Sequence, residues 1–155
     1  MRFPASIFLA SVLMSGPALA DDNKVMIGPE PQWAVPSNLM PVPESASGPV
    51  FVRRQDVLVH VDEHGGQEYR ASRIKILQSS ALELGNISIS WDPAAGTPVV
   101  HAIKVYRGND VIDVLKSASF EILRREDQLE AARLDGKLTA VLRIPDFRVG
   151  DEFEV

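Results

Sequence analysis

From residue 50 onward, short runs in which apolar and polar side chains alternate are cut off again and again by Gly, Pro, Asn or Asp. Period-two alternation places successive side chains on opposite faces of an extended chain, so each run can bury one face and wet the other. Val57, Val59 and Val61 share one face, a turn with two glycines follows over 62–66, and the run 69–77 returns with Ile74 and Ile76 on one face. That is a hairpin with a loop longer than two residues. Residues 81–85 fit one helical turn or a loop. Ile87, Ile89 and Trp91 alternate with Ser88, Ser90 and Asp92 until Pro93 closes the run. Val99, His101, Ile103 and Val105 form one face of a strand that ends in the Arg107–Asp110 turn. Shorter strands are expected over 111–115 and 119–125. Residues 126–133 have helical composition, but the Asp135-Gly136 turn and the run 138–144 favour extended chain paired across that turn. About seven or eight short strands and no long helix predict an all-β fold, an antiparallel β-sandwich, because half-apolar strands must cover their faces with a second sheet.

The first 49 residues are of another kind. Arg2, the apolar run from Ile7 to Met14, the breakers Gly16 and Pro17, and the small-x-small triplet Ala18-Leu19-Ala20 have the order of a secretory signal peptide over residues 1–20. Cleavage is expected between Ala20 and Asp21. The apolar run is too short for the roughly 20 residues of a membrane span, so no stable span is expected. Six of the 11 prolines fall within 21–49. Each lacks a backbone N–H and restrains its predecessor, so this leader is expected to be extended. Trp33 is its main apolar anchor, expected to dock on the domain at 50–155; as a sugar-stacking platform it has no second aromatic nearby.

The net charge of −5 argues against a nucleic-acid partner, which needs clustered Lys and Arg. Cys is absent, so disulfides, cysteine-rich zinc sites and a cysteine nucleophile are excluded from these residues. His60, Asp62 and His64 put three metal-ligand types near one turn. Only His60 and Asp62 share a strand face, and the helical His-x-x-x-His arrangement is missing, so a polar hairpin tip is expected and no metal. His101, among apolar neighbours, reads as a part-buried, hydrogen-bonded histidine. Arg124-Arg125-Glu126-Asp127 reads as a solvated, salt-bridged strand end, or else as an arginine pair for a carboxylate. Glu121, Glu126, Asp127, Glu130 and Asp135 offer acids, but their spacing selects no pair for glycoside chemistry. No Gly-x-Ser-x-Gly elbow is present. No catalytic residue and no cofactor are assigned; Trp33, Arg124 and Arg125 are the candidate binding surface.

Trp91-Asp92-Pro93, Val105-Tyr106-Arg107-Gly108 with Asp113, Phe120 and Leu123-Arg124-Arg125-Glu126 come in a fixed order, followed by Asp135-Gly136 with Leu138-Thr139-Ala140 and Val149-Gly150-Asp151. That order resembles the domain of unknown function found just ahead of a transglutaminase-like, papain-type domain in secreted bacterial proteins. The likeness covers roughly 55–155. It implies a β-sandwich in a periplasmic or secreted envelope protein. The module would be a non-catalytic accessory whose partners are the downstream transglutaminase-like domain and envelope protein or peptide. The alternative is a free-standing module that binds glycans or peptides. Family domains of this kind continue past the Gly-Asp motif, so 50–155 is expected to be an incomplete domain, truncated at its C-terminal end. Glu152 to Val155 would open a strand and leave a neighbouring strand with an unpaired edge.

Overall fold

The computed structural model describes residues 24–63, 65–124 and 136–155. Among them the strands are β1 (Met26–Ile27), β2 (Val50–Asp62), β3 (Gly65–Ile76), β4 (Asn86–Trp91), β5 (Val99–Val100), β6 (Lys104–Arg107), β7 (Asp110–Asp113), β8 (Glu121–Arg124), β9 (Leu138–Arg143) and β10 (Glu152–Glu154). One sheet has the order β2-β3-β10-β6-β7 and a second the order β4-β9-β8. Every pairing within these two sheets is antiparallel. The exception to the antiparallel rule is the two-residue parallel contact of β1 with β5.

The two sheets close a β-sandwich on one apolar core. The first contributes Ile76, Val105 and Phe153, and the second Leu142; Ile103, Val114 and Ile144 come from the connections, while Ile74, Ile87 and Ile89 pack around them. Burying each such side chain contributes about 1.5–3 kcal/mol, so these strands are held chiefly by what lies across from them. Gly85 ends a 3-10 helix over Ser79–Gly85. A Cβ there would sit 2.7 Å from the Phe147 ring, so a larger residue would push Phe147 out of its edge-on contact with Phe153. Gly150 has φ +91°, a value open to glycine, and sets the turn that feeds β10.

Four expectations need correction. The run Val99–Tyr106 is two strands, not one. Val99 and Val100 pair with β1, His101 to Ile103 lie outside any strand, and β6 begins at Lys104. The Ile103 carbonyl accepts from the Val114 N–H instead of a neighbouring strand. The expected strand 111–115 ends at Asp113, whose carboxylate accepts from the Leu115 N–H and starts a 3-10 turn at Val114. The valines at 57, 59 and 61 do share a face, but it is exposed, not core. Lastly, the turn expected over 62–66 is shorter, because Asp62 pairs with Gly65 and both glycines lie in β3. β10 enters the sheet as a central strand, with Phe153 opposite Ile74 on one side and Val105 on the other. The residues 125–135, including Arg125 and the expected pairing across Asp135-Gly136, lie outside the described residues, as do the signal segment with Ala20 and Asp21, and His64.

Candidate functional site

β2 and β3 form a hairpin far longer than the sheet it belongs to. β10 flanks β3 only from Arg73 to Lys75, extended by reciprocal bonds between Ser72 and Val155. Beyond that point the hairpin projects, and the proline-rich leader lies along it. The Met40 N–H donates to the Arg53 carbonyl at 2.8 Å. Ser37 donates to Asp56 through Oγ at 2.6 Å and through its N–H at 3.1 Å. Further along, the Trp33 indole stacks on His60 at 5.1 Å, meets Tyr69 edge-on, and donates Nε1–H to Gln67 at 3.1 Å. His60 thus serves as an aromatic partner, with Asp62 3.5 Å from its Nε2. The leader is extended because its prolines allow little else, and it is fixed by these side chains.

A cleft of about 530 Å³ opens between this projecting part of β3 and the segment 98–102. Tyr69, Arg70 and Ala71 line one wall and Val100, His101 and Ala102 the other. Ile89 of the second sheet, Val155 and Glu30 of the leader also line it. His101 stacks on Tyr69 at 5.8 Å, and its Nδ1–H donates to the Gly28 carbonyl at 3.0 Å. The Tyr69 hydroxyl donates to Glu30 at 3.1 Å, and burial together with that carboxylate pushes it up to about 12.

The ionic groups near the sheet are organised as two networks. Glu152 is gripped by Arg53 at 2.8 and 2.9 Å and by Arg73. Arg54 takes Glu154 at 3.0 Å, and the Tyr106 hydroxyl donates to the same carboxylate at 2.5 Å. The Arg73 guanidinium lies 3.6 Å above the Tyr106 ring, and the tyrosine is raised to about 12 by burial and by Glu154. The second network joins two turns. Arg107 holds the buried Asp151 with two bonds of 2.8 Å and reaches Asp146, while the Arg148 N–H donates to Asp151 at 2.9 Å. Burial alone would raise the Asp151 carboxyl; the Arg107 guanidinium and the Arg148 N–H outweigh it and hold the group below the ordinary range. Hydrogen bonding from Arg148 and Arg107 likewise lowers Asp146, and Asp151 keeps Arg107 charged.

A family profile, described as a domain of unknown function with a solved structure and designated DUF3857, matches residues 62–155. The chain belongs to this family. No curated protein and no solved structure matches it. In this DUF3857 module the two motifs Tyr106-Arg107-Gly108 and Gly150-Asp151 are the two ends of one ion pair.

The sequence-derived binding residues are not brought together. Trp33 packs on the hairpin of the first sheet, one ring away from the cleft. Arg124 belongs to β8 at the edge of the second sheet, with its backbone opposite Leu138. Tyr69, Arg70 and the segment 98–102 were not singled out as a site by sequence reasoning. Their signal was indirect, a hairpin arm longer than a strand of ordinary length. Among the described residues no group of three metal-ligating side chains occurs, and no helix is long and apolar enough to cross a membrane.

Proposed function

We propose that this DUF3857 module is a non-catalytic accessory domain of an exported envelope protein, in the periplasm or outside the cell. It positions a transglutaminase-like domain or presents protein or peptide to it. The observation that carries this reading is the engagement of the buried carboxylates. A general acid or base needs a pKa near the working pH and a path to substrate. Asp151 is instead held low by Arg107, Glu152 is shared by two guanidiniums, and Asp56 is closed off by Ser37. These are the contacts of a frame. The N-terminal segment with signal-peptide order supports the compartment, and the motif order supports the neighbour.

Generic ester, peptide and glycoside substrates incubated with the purified chain are expected to give no turnover above buffer. Turnover that disappears in Glu152→Gln would overturn the non-catalytic reading. A papain-type domain with its cysteine is expected in the reading frame past the Val155 codon, and its absence would overturn the choice of neighbour.

A second reading, a free-standing module binding peptides or glycans, is favoured by the cleft against β3. A peptide screen and a glycan array on the purified protein separate it from the first; silence in both removes it.

A further inference from the structure

We propose that Arg53 is a positioning residue that couples the leader to β10, so that the leader is a strap held tight only while β10 lies in the sheet. Arg54 makes a second, looser connection beside it. This conformational device is independent of whether the module is an accessory domain or a free-standing binder.

The geometry begins with the register shift in β2. Val52 lies opposite Ile74 and Arg54 opposite Arg73, with Arg53 unmatched between them. Such a bulge sets two consecutive residues of one strand against one residue of its partner. On β10, Phe153 belongs to the core, so the residues on either side of it, Glu152 and Glu154, point to the opposite face of the sheet. Both consecutive arginines reach that face, Arg53 to Glu152 and Arg54 to Glu154, and Arg73 joins them on Glu152. Without the bulge, neighbouring residues would point to opposite faces and only one of the two could do so.

Each arginine has a second end turned to the leader. Arg53 donates its Nε–H to the Met40 carbonyl at 2.8 Å, while its Nη1 lies 2.8 and 2.9 Å from the two oxygens of Glu152. The Met40 N–H donates back to the Arg53 carbonyl, so one leader residue is held by both the backbone and the side chain of one arginine. A guanidinium is planar, and a carboxylate fixed at one edge sets the direction of every other N–H. When Glu152 leaves, the Nε–H loses that direction, and Met40 keeps only its backbone bond. Arg54 binds Glu154 at 3.0 Å through Nη2, and its Nε lies 3.6 Å from Asp56, the carboxylate that holds Ser37. This Nε is buried without a hydrogen-bond partner, so the second connection is electrostatic and weaker than the first. Trp33 stacks farther along the hairpin and takes no part in either.

The test is amide hydrogen exchange at Met40 in the full chain, under conditions where it is folded. In Glu152→Gln, a change at a residue with no bond to the leader, this amide should exchange about fivefold faster or more, the lower end of the range for coupled sites. Glu152→Asp keeps the charge and shortens its reach to Arg53. It should give an intermediate rise, so the result does not hang on one variant folding. Val114→Ala truncates a core residue of the turn after β7 and is the control. It should lower the melting temperature and leave the Met40 amide unchanged, because the leader opens locally.

A Met40 amide that exchanges in Glu152→Gln and Glu152→Asp as it does in the parent would overturn the coupling. So would an equal rise in Val114→Ala, since the leader would then only follow the stability of the whole fold. Coupling is reciprocal, and unfolding constants supply the check from the other side. Met40→Pro removes the N–H that bonds the Arg53 carbonyl. Combined with Glu152→Gln, it should shift the unfolding constant about fivefold less than the product of the two single shifts. A product obeyed within about twofold would show two independent contacts and overturn the proposal.

Discussion

The two halves of the β2–β3 hairpin make an instructive pair. Near the base, Val50 and Val52 lie opposite Ile76 and Ile74, and Val50, Ile74 and Ile76 pack into the sandwich. Toward the tip, Val57, Val59 and Val61 lie opposite Arg70, Glu68 and Gly66, and all three valines are more than half exposed. The valine pattern is the same at both ends. A register shift between Val52 and Arg54 keeps it on one side of the hairpin although the parity of the residue numbers changes. What differs is the cover. The base packs against the core shared with the second sheet, whereas the valines of the tip face solvent. An alternating sequence specifies a strand and its two faces; whether a face is core depends on an element elsewhere in the chain.

The comparison is broken most strongly at the base. Phe153→Ala empties a site that is 4% exposed, between Ile74 and Val105, and should cost about 3–5 kcal/mol in a denaturant melt. Val59→Thr at the tip should stay within about 0.5 kcal/mol of the parent. Equal losses would show that the tip is buried in solution.

Removing Asp151, which is 1% exposed, should come next. Asp151→Ala deprives Arg107 and the Arg148 N–H of their shared partner, and loss of charge-assisted bonds of this kind should cost about 2–3 kcal/mol. The same pair gives a pH signature. The folded state lowers the Asp151 carboxyl, so its contribution is complete above the unfolded value near 4 and is lost as pH falls through the lower folded value. Tyr69 and Tyr106 are raised to about 12, so their contribution is complete below about pH 10 and is lost as pH rises through about 12. Melting temperature against pH should be flat between about pH 5 and 9 and fall on both sides. Asp151→Asn should remove the acid limb's steepest part; an unchanged acid limb would contradict the role given to the pair.

A smaller effect is expected from the leader. Trp33→Ala removes the stack on His60 and the bond to Gln67, and should cost about 1–2 kcal/mol. It should also make the segment before Pro36 more open to proteolysis. If protease sensitivity does not change, the pairing of β1 with β5 and the contacts of Gly28, Glu30, Ser37 and Met40 are enough to hold the leader.

Much of the sandwich was legible because its strands carry their own faces. Ile87, Ile89 and Trp91 against Ser88 and Ser90, and the glycine turn at 108, are local signals, whereas the glycines at 65 and 66, read from the sequence as a turn, lie in β3. The site was harder to read for a physical reason. The cleft is made by segments far apart in the chain, Tyr69 to Ala71 and 98–102, and no local pattern links them. The break at His101 was also hidden, since Ile103 and Val105 continue an alternation that the chain interrupts to pass from β5 to β6. The Arg107 and Asp151 motifs were visible in the sequence, but their contact across 44 residues appears only when β10 enters the sheet beside β6.

The central claim is that the buried carboxylates are engaged as a frame and are not poised for proton transfer. An NMR titration of the Asp151 carboxyl tests it most directly. The account predicts that Asp151 titrates below the ordinary carboxylate value of about 4 and moves upward in Arg107→Gln. An Asp151 carboxyl that titrates at or above about 4 in the folded protein would contradict the account.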